Sequence, residues 1–149
     1  MSDAGSLLFV DTNLLLYTLD STNLAKQAAA LSWRDALWQH RAGRLSWQVL
    51  HEFYANATGK MGSPAATVRL MVESYAQWQT IGFSLPLVKR AWHWVDRAGI
   101  SYWDALILAA AERSACEWLL SEDFQDGRKY GTVRVVNPFR TEPDRFFET

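Results

Sequence analysis

The apolar run Leu7-Leu8-Phe9-Val10 ends abruptly in an acid, a hydroxyl and an amide, Asp11-Thr12-Asn13. A short run with no polar alternation is the pattern of a strand buried on both faces, so residues 7–10 are predicted to deliver Asp11 to the edge of a sheet. The period then becomes helical. Thr12 or Asn13 is placed to cap a short helix over 14–19. A second helix is predicted over 24–41, capped around Ser21 to Asn23, with Leu24, Ala28, Leu31, Leu37 and Trp38 as its inward stripe and Gly43 as its stop. Leu45 falls in a very short extended segment. Ser46 caps a helix over 47–58 that Gly59 ends. Gly62-Ser63-Pro64 is a turn with proline at a helix start. The helix that follows, 65–79, turns Val68, Met71, Val72, Tyr75 and Trp78 inward until Gly82 interrupts. Phe83-Ser84-Leu85 is a strand candidate, and Pro86 opens a helix to about Ala98 that Gly99 closes. Ser101 caps a helix over 102–115, whose Ala109-Ala110-Ala111 run favours helix and permits close approach of a neighbour. Trp118 to Ser121 and Thr132 to Val136 are the last predicted strands. A polar loop, 122–131, separates them, with turn chemistry at Asp126-Gly127, and the residues after Pro138 read as a surface tail.

Strands alternating with helices predict an α/β domain with a parallel sheet covered on both faces. The 149 residues fit one domain, with a core over about 7–139 and a tail over 140–149, and no repeat or linker interrupts them. Open sheets of this kind place their sites beyond the carboxyl ends of strands, where strand order switches. Asp11 and Asp123 each follow a predicted strand.

Composition narrows the partners. A net charge of −1 sets up no general attraction for nucleic acid, so any such contact must be local. The single Cys116 excludes an intramolecular disulfide framework and suits a reducing compartment; near a helix end it is expected to serve as a small core residue. Met1 to Ser6 is small and polar and the apolar run after it is short, so no secretory signal is expected. No stretch approaches the roughly 18 apolar residues of a membrane span, and a cytoplasmic location follows. Eight Trp residues are many for this length; large core residues explain them, or surface kept for a partner.

Candidate chemistry rests on four acids. Asp11 can be a helix cap or a site residue. Glu52 shares a helical face with Val49, Phe53 and Asn56, and is costly to bury without a partner such as the Asn56 amide; alternatively Glu52 and Asn56 mark a solvated edge. Asp104 completes the capping-box pattern Ser101-Tyr102-Trp103-Asp104, yet also continues the face of Ile107, Leu108 and Ala111. Asp123 follows Ser121 at a strand end, with Glu122 and Asp126 nearby; a solvated acidic turn is the alternative, and Asp126 is the auxiliary candidate. Gathered together, these carboxylates repel one another and raise each other's pKa. A divalent cation removes the conflict, and oxygen donors without a Cys or His cluster suit Mg²⁺ or Mn²⁺. Such an ion activates water and neutralises charge on a phosphodiester.

The ordered set Val10-Asp11-Thr12-Asn13, His51-Glu52-Phe53, Ser101-Tyr102-Trp103-Asp104-Ala105-Leu106-Ile107 and Leu120-Ser121-Glu122-Asp123 resembles the PIN-domain ribonucleases, most closely their VapC-type toxin branch. The likeness runs from Leu8 to about Phe139. It implies a three-layer α/β/α sandwich around a short parallel sheet and metal-dependent cleavage of RNA. It also implies a homodimer held inactive by a small cognate antitoxin whose tail occupies the acidic groove. On this resemblance Asp11, Glu52, Asp104 and Asp123 are the catalytic acids. Asp11, Asp104 and Asp123 hold the metal, with Glu52 direct or through water. Thr12, Asn13 and Ser121 support them, and Asp126 matches an acid of one toxin subgroup.

Arg44, Arg128 and Lys129 lie near the acid-bearing segments and are candidate phosphate contacts, or scattered solvated charges. Trp47 and Trp103 flank acid-bearing helix starts, where an indole stacks on a base or packs in the core or between copies. His40, His51 and His93 lack metal spacing. Two enzyme-like alternatives fit less well. A haloacid-dehalogenase-like phosphohydrolase needs a second Asp where Asn13 stands, and a receiver domain needs a Lys where Asn137-Pro138 follow the last strand. A non-catalytic dimeric binding module with an acidic groove remains the third alternative.

Overall fold

The structure, a computed structural model, describes residues 5–147. Residues 1–4, on which part of the signal-peptide expectation rests, and 148–149, the end of the expected tail, lie outside the described residues. Strand β1 is Leu8–Val10, and every side chain in it is fully buried. Neighbouring side chains of a strand point to opposite faces, so both faces of the sheet are covered at this position. Four more strands follow: β2 (Gly43–Arg44), β3 (Trp118–Leu120), β4 (Lys129–Tyr130) and β5 (Val133–Val136), in the spatial order β2-β1-β3-β5-β4. Pairing is parallel between β1 and β2, β1 and β3, and β3 and β5; β4 is an antiparallel edge strand. Helices α1 (Thr12–Tyr17), α2 (Leu24–His40), α3 (Trp47–Thr58), α4 (Ala65–Tyr75), α5 (Leu85–Ala98) and α6 (Tyr102–Arg113) all fall between β1 and β3 in the chain.

This order places the switch beside β1. The chain leaves β1 for β2 on one side, then crosses back to β3 on the other. The ladder continues past the strand ends: the Asp11 N–H donates to the Leu120 carbonyl (3.1 Å), and the Ser121 N–H to the Val136 carbonyl (3.1 Å). Asp11 and Ser121 are thereby fixed at adjacent strand ends on the carboxyl edge. Over them lies α6, in which Ala105 to Ala111 are all buried; its three alanines let α5 and the sheet close in on it.

Several boundaries differ from the sequence expectation, each for a local reason. Helix α1 starts at Thr12, and its cap is Asp11 itself, which accepts the Thr12 N–H at 2.8 Å. In α2 the buried line is Ala30, Trp33 and Leu37, whereas Leu24 and Trp38 are exposed. The indole of Trp33 selects this face, because its N–H reaches the carbonyls of Pro138 (2.9 Å) and Thr141 (3.1 Å). Helix α2 is closed by Arg41 in the left-handed region (φ 52°) rather than by Gly43. Gly43 instead enters β2, where a Cβ would stand 2.5 Å from the Trp78 ring. Helix α4 ends at Tyr75, and a turn rather than a helical face carries Trp78 inward. Ser84 caps α5 through the Leu87 N–H, so 83–85 is not a strand; the extended contact is an isolated bridge between Ile81 and Ser46. Helix α6 stops at Arg113, short of Ala115, whose φ is 57°. The polar loop contains β4. The stretch after Pro138 is no loose tail either: it forms a 3₁₀ turn, Pro143–Arg145, buries Pro143 and Phe147, and sets the Phe146 ring 5.0 Å from that of Trp118.

Candidate active site

Three consecutive residues at the end of β1 reach three different segments. Asp11 is 6% exposed; one carboxylate oxygen accepts the Thr12 N–H and the other accepts the Ser121 hydroxyl at 2.7 Å. Thr12 donates its hydroxyl to a Glu52 carboxylate oxygen at 2.6 Å. Asn13 donates its amide to an Asp123 carboxylate oxygen at 2.8 Å. Ser121 closes the circuit, since its Oγ also accepts the Asp123 N–H at 3.1 Å. Hydrogen bonds made by a charged acceptor are the stronger kind, and here they span up to 110 positions of sequence.

Asp11, Thr12, Asn13, Glu52 and Asp123 line one cleft of about 340 Å³, which Asp104 shares; Ser121 supports it from behind the lining. Helix α3 sorts its mixed face by geometry. Gln48, Glu52 and Asn56, spaced four apart, line the cleft, while Val49 and Phe53 are buried. The Asn56 amide donates to the Glu52 backbone carbonyl (2.8 Å) rather than to its carboxylate, whose partner is Thr12. On α6, Ser101 accepts the Asp104 N–H at 3.1 Å, the first half of the capping box. Among the described residues no bond returns from the Asp104 carboxylate to Ser101; Asp104 and Ile107 line the cleft instead.

Like charges strain this cleft. Burial is the main influence lifting the Asp11 carboxyl, to about 7; the Ser121 hydroxyl and the Thr12 N–H oppose it, and Asp123 and Glu52 add to it. Asp123 is also raised, by burial first and then by Glu122, Asp104 and Glu52. Glu122 is drawn aside by Lys26, 2.8 Å away, whose ammonium lies over the rings of Tyr17 and Phe139. An all-oxygen, mutually repelling donor set has the chemistry of a hard divalent cation site. Among the described residues, no three acids, histidines or cysteines stand in an array ready to hold an ion.

Other sequence candidates lie elsewhere. Asp126 accepts the Asn137 N–H at 2.8 Å, which pins its loop, and does not line the cleft. Arg44 folds back onto the carbonyls of Arg41 and Gly43 and lines a separate recess beside Trp38 and Trp78. Arg128 stacks over Tyr130, and neither it nor Lys129 reaches the cleft. Trp47 lies against His51, outside it, whereas Trp103 is on its rim. Cys116 is buried, which pushes its thiol up to about 12. Two polar lining residues escape the sequence reading. Gln48 carried a usable signal, one turn before Glu52. Lys60 carried none, because its place depends on how the chain turns after α3.

The sequence matches the family model described as PIN domain over residues 8–128. No curated protein matches it. Among solved structures, it resembles a toxin–antitoxin complex from Klebsiella pneumoniae (22% identity, TM-score 0.64, covering 89% of this chain and 98% of that one). It also resembles VapC20 of Mycobacterium tuberculosis, described as a Sarcin-Ricin loop cleaving toxin (17% identity, TM-score 0.56, 75% and 86% covered). A third likeness is to FitAB bound to an IR36 DNA fragment (18% identity, TM-score 0.71, 91% and 98% covered). At these identities the structures speak for the fold, and the family match spans most of the chain: the chain belongs to the PIN-domain family.

Proposed function

We propose that this cleft is the active site of a divalent-metal-dependent endoribonuclease that acts as the toxin of a toxin–antitoxin pair. The observation that carries the reading is the meeting of Asp11, Glu52, Asp104 and Asp123, from four distant segments, in one cleft at the sheet's switch point. The likeness to a toxin–antitoxin complex and to a Sarcin-Ricin loop cleaving toxin supports it. Asp11, Asp104 and Asp123 would hold Mg²⁺ or Mn²⁺, with Glu52 bound directly or through water. Such an ion supplies an activated water and neutralises charge on the phosphodiester under attack.

The remaining residues position these acids. Ser121 holds Asp11 by its carboxylate and Asp123 by its backbone. Thr12 and Asn13 each occupy one oxygen, of Glu52 and of Asp123 respectively, and orient the other. Asp126 serves at a distance by holding its loop to Asn137. Arg44, Arg128 and Lys129 lie outside the cleft lining, so phosphates they bind belong to flanking nucleotides. A small cognate antitoxin that covers the acidic groove would silence the enzyme. The assembly is a homodimer, for which Phe83, Leu85 and Trp92 supply exposed apolar surface. The working location is the cytoplasm; among the described residues no helix is long and apolar enough to cross a membrane.

The test is cleavage of RNA with Mg²⁺, with Mn²⁺ and in excess chelator, by wild type and Asp11→Asn. Loss of at least about 100-fold is expected in the variant, in line with removal of a group that stabilises the transition state. Undiminished cleavage by Asp11→Asn, or in chelator, would sink the assignment. Growth arrest on expression, relieved by a co-expressed neighbouring protein, tests the toxin role separately.

A further inference from the structure

The acids line the cleft together with two residues of different chemistry. The turn after α3 brings Lys60 to it, and the first turn of α6 brings Trp103. Lys60 is the one cation in the lining, and among the described residues it makes no ion pair although four carboxylates share the cleft. Trp103 is 60% exposed, the highest value among the tryptophans described as exposed. An indole left this far in water gains little from the core. Its mount is nevertheless firm. The Trp103 carbonyl accepts from the buried Gln48 amide at 3.2 Å, Ser101 caps the helix beneath it, and its ring leans on Tyr102 with centroids 5.5 Å apart. A flat apolar face is therefore held in solvent one residue before Asp104.

We propose that the cleft seats a single unpaired nucleotide of RNA, with its base stacked on Trp103 and a neighbouring phosphate on Lys60. This rests on the nuclease reading and assigns Trp103 and Lys60 as the residues that position the substrate in that cleft. A base inside a duplex has both faces covered by its neighbours, so it offers none to an indole; an unpaired base does. The cleft volume, about 340 Å³, is at the small end of pockets for one small molecule. Lys60 offsets the repulsion that the acids exert on an approaching phosphate and, as a point charge, selects no base.

The probe is a labelled 2′-O-methyl oligoribonucleotide of mixed sequence, single-stranded or annealed to its complement. Binding by the Asp11→Asn protein is followed by fluorescence anisotropy in Mg²⁺. The single strand is expected to bind at least about tenfold more tightly than the duplex. Trp103→Ala should weaken it by about tenfold or more, and Trp103→Phe should restore most of that, since one aromatic face replaces another. Lys60→Gln should lower the slope of log affinity against log salt by about 0.7, the value for one phosphate contact on a single strand. Equal affinity for both forms, or indifference to Trp103→Ala in a variant that melts like its parent, overturns the proposal. So does a change of oligomeric state in sedimentation, because the indole then belongs to a contact between copies. Cleavage by wild type with no dependence on Trp103 leaves the nuclease and removes the seat. Binding through Trp103 without any cleavage keeps the seat and removes the nuclease.

Discussion

Asp11 is the residue at which folding and function pull apart. Its carboxyl moves from an ordinary 3.8 to about 7, chiefly because it is buried. Between these values the folded chain holds a proton that the unfolded chain has released. Stability in metal-free buffer therefore falls as pH rises from about 4 to 7, and the full cost stands above 7. The upper bound is on the order of 4 kcal/mol. Thermal melts in chelator are expected to show a higher midpoint at pH 5 than at pH 8, and Asp11→Asn should flatten that difference; an unchanged slope would refute the account. Ser121 works in the opposite direction, because its hydroxyl favours the ionised form. Ser121→Ala should move the acidic limb of the cleavage pH profile upward and lower kcat, since it also releases the Asp123 backbone. At this scale the acids stood out as candidates by their places: Asp11 and Asp123 after strands, Asp104 at a helix start and Glu52 on a mixed helix face. Their hydrogen-bond partners were legible only in part: Thr12, Asn13 and Ser121 lie beside the acids, while the pairing of Thr12 with Glu52 spans 40 positions.

Among the elements, α3, the start of α6 and the end of α5 followed their local signals, whereas α5 begins before the expected Pro86 and α6 stops short of Ala115. Ser46, Ser84 and Ser101 each cap the helix that follows, and Gly99 closes α5 with φ 66°. Helix α2 and the stretch after Pro138 did not, and the two share a cause. Helix α2 has apolar residues on more than one face, and the C-terminal carbonyls that receive the Trp33 N–H decide which face turns inward. Trp33→Phe keeps one aromatic ring but removes the donor and part of the buried indole, so it should cost at least about 1–3 kcal/mol, from carbonyls left without the N–H and from the void; urea unfolding of the variant measures this. Gly43 makes a second contact that sequence does not display. Gly43→Ala forces a Cβ against Trp78, and a loss of about 1–3 kcal/mol is expected, read as a lower denaturant midpoint. A neutral result would mean that Trp78 has room to move.

For the whole molecule, the open matter is how much surface it leaves bare. Phe83, Leu85 and Trp92 are each more than half exposed, and Leu85 and Trp92 stand two turns apart on one side of α5. If these residues carry the proposed homodimer, Leu85→Glu with Trp92→Glu should yield a monomer in sedimentation with the melting midpoint of an intact fold. A dimer unmoved by both charges would place the interface elsewhere.

Local physics was enough to show the strand ahead of Asp11, most of the helices with their serine caps and the alternating α/β order, because each depends on residues a few positions apart; it offered the four acids as candidates, each beside a plainer alternative. The convergence of Asp11, Glu52, Asp104 and Asp123 was an expectation drawn from order and resemblance. It became geometry only through the parallel pairing that brings β1 and β3 side by side and the burial that swings α3 and α6 over their ends. The edge strand β4, the packed C-terminal turn, the face of α2 and the arrival of Lys60 at the cleft were decided by long-range packing. No local pattern records such choices, since their energy lies in contacts between segments that the chain itself keeps far apart.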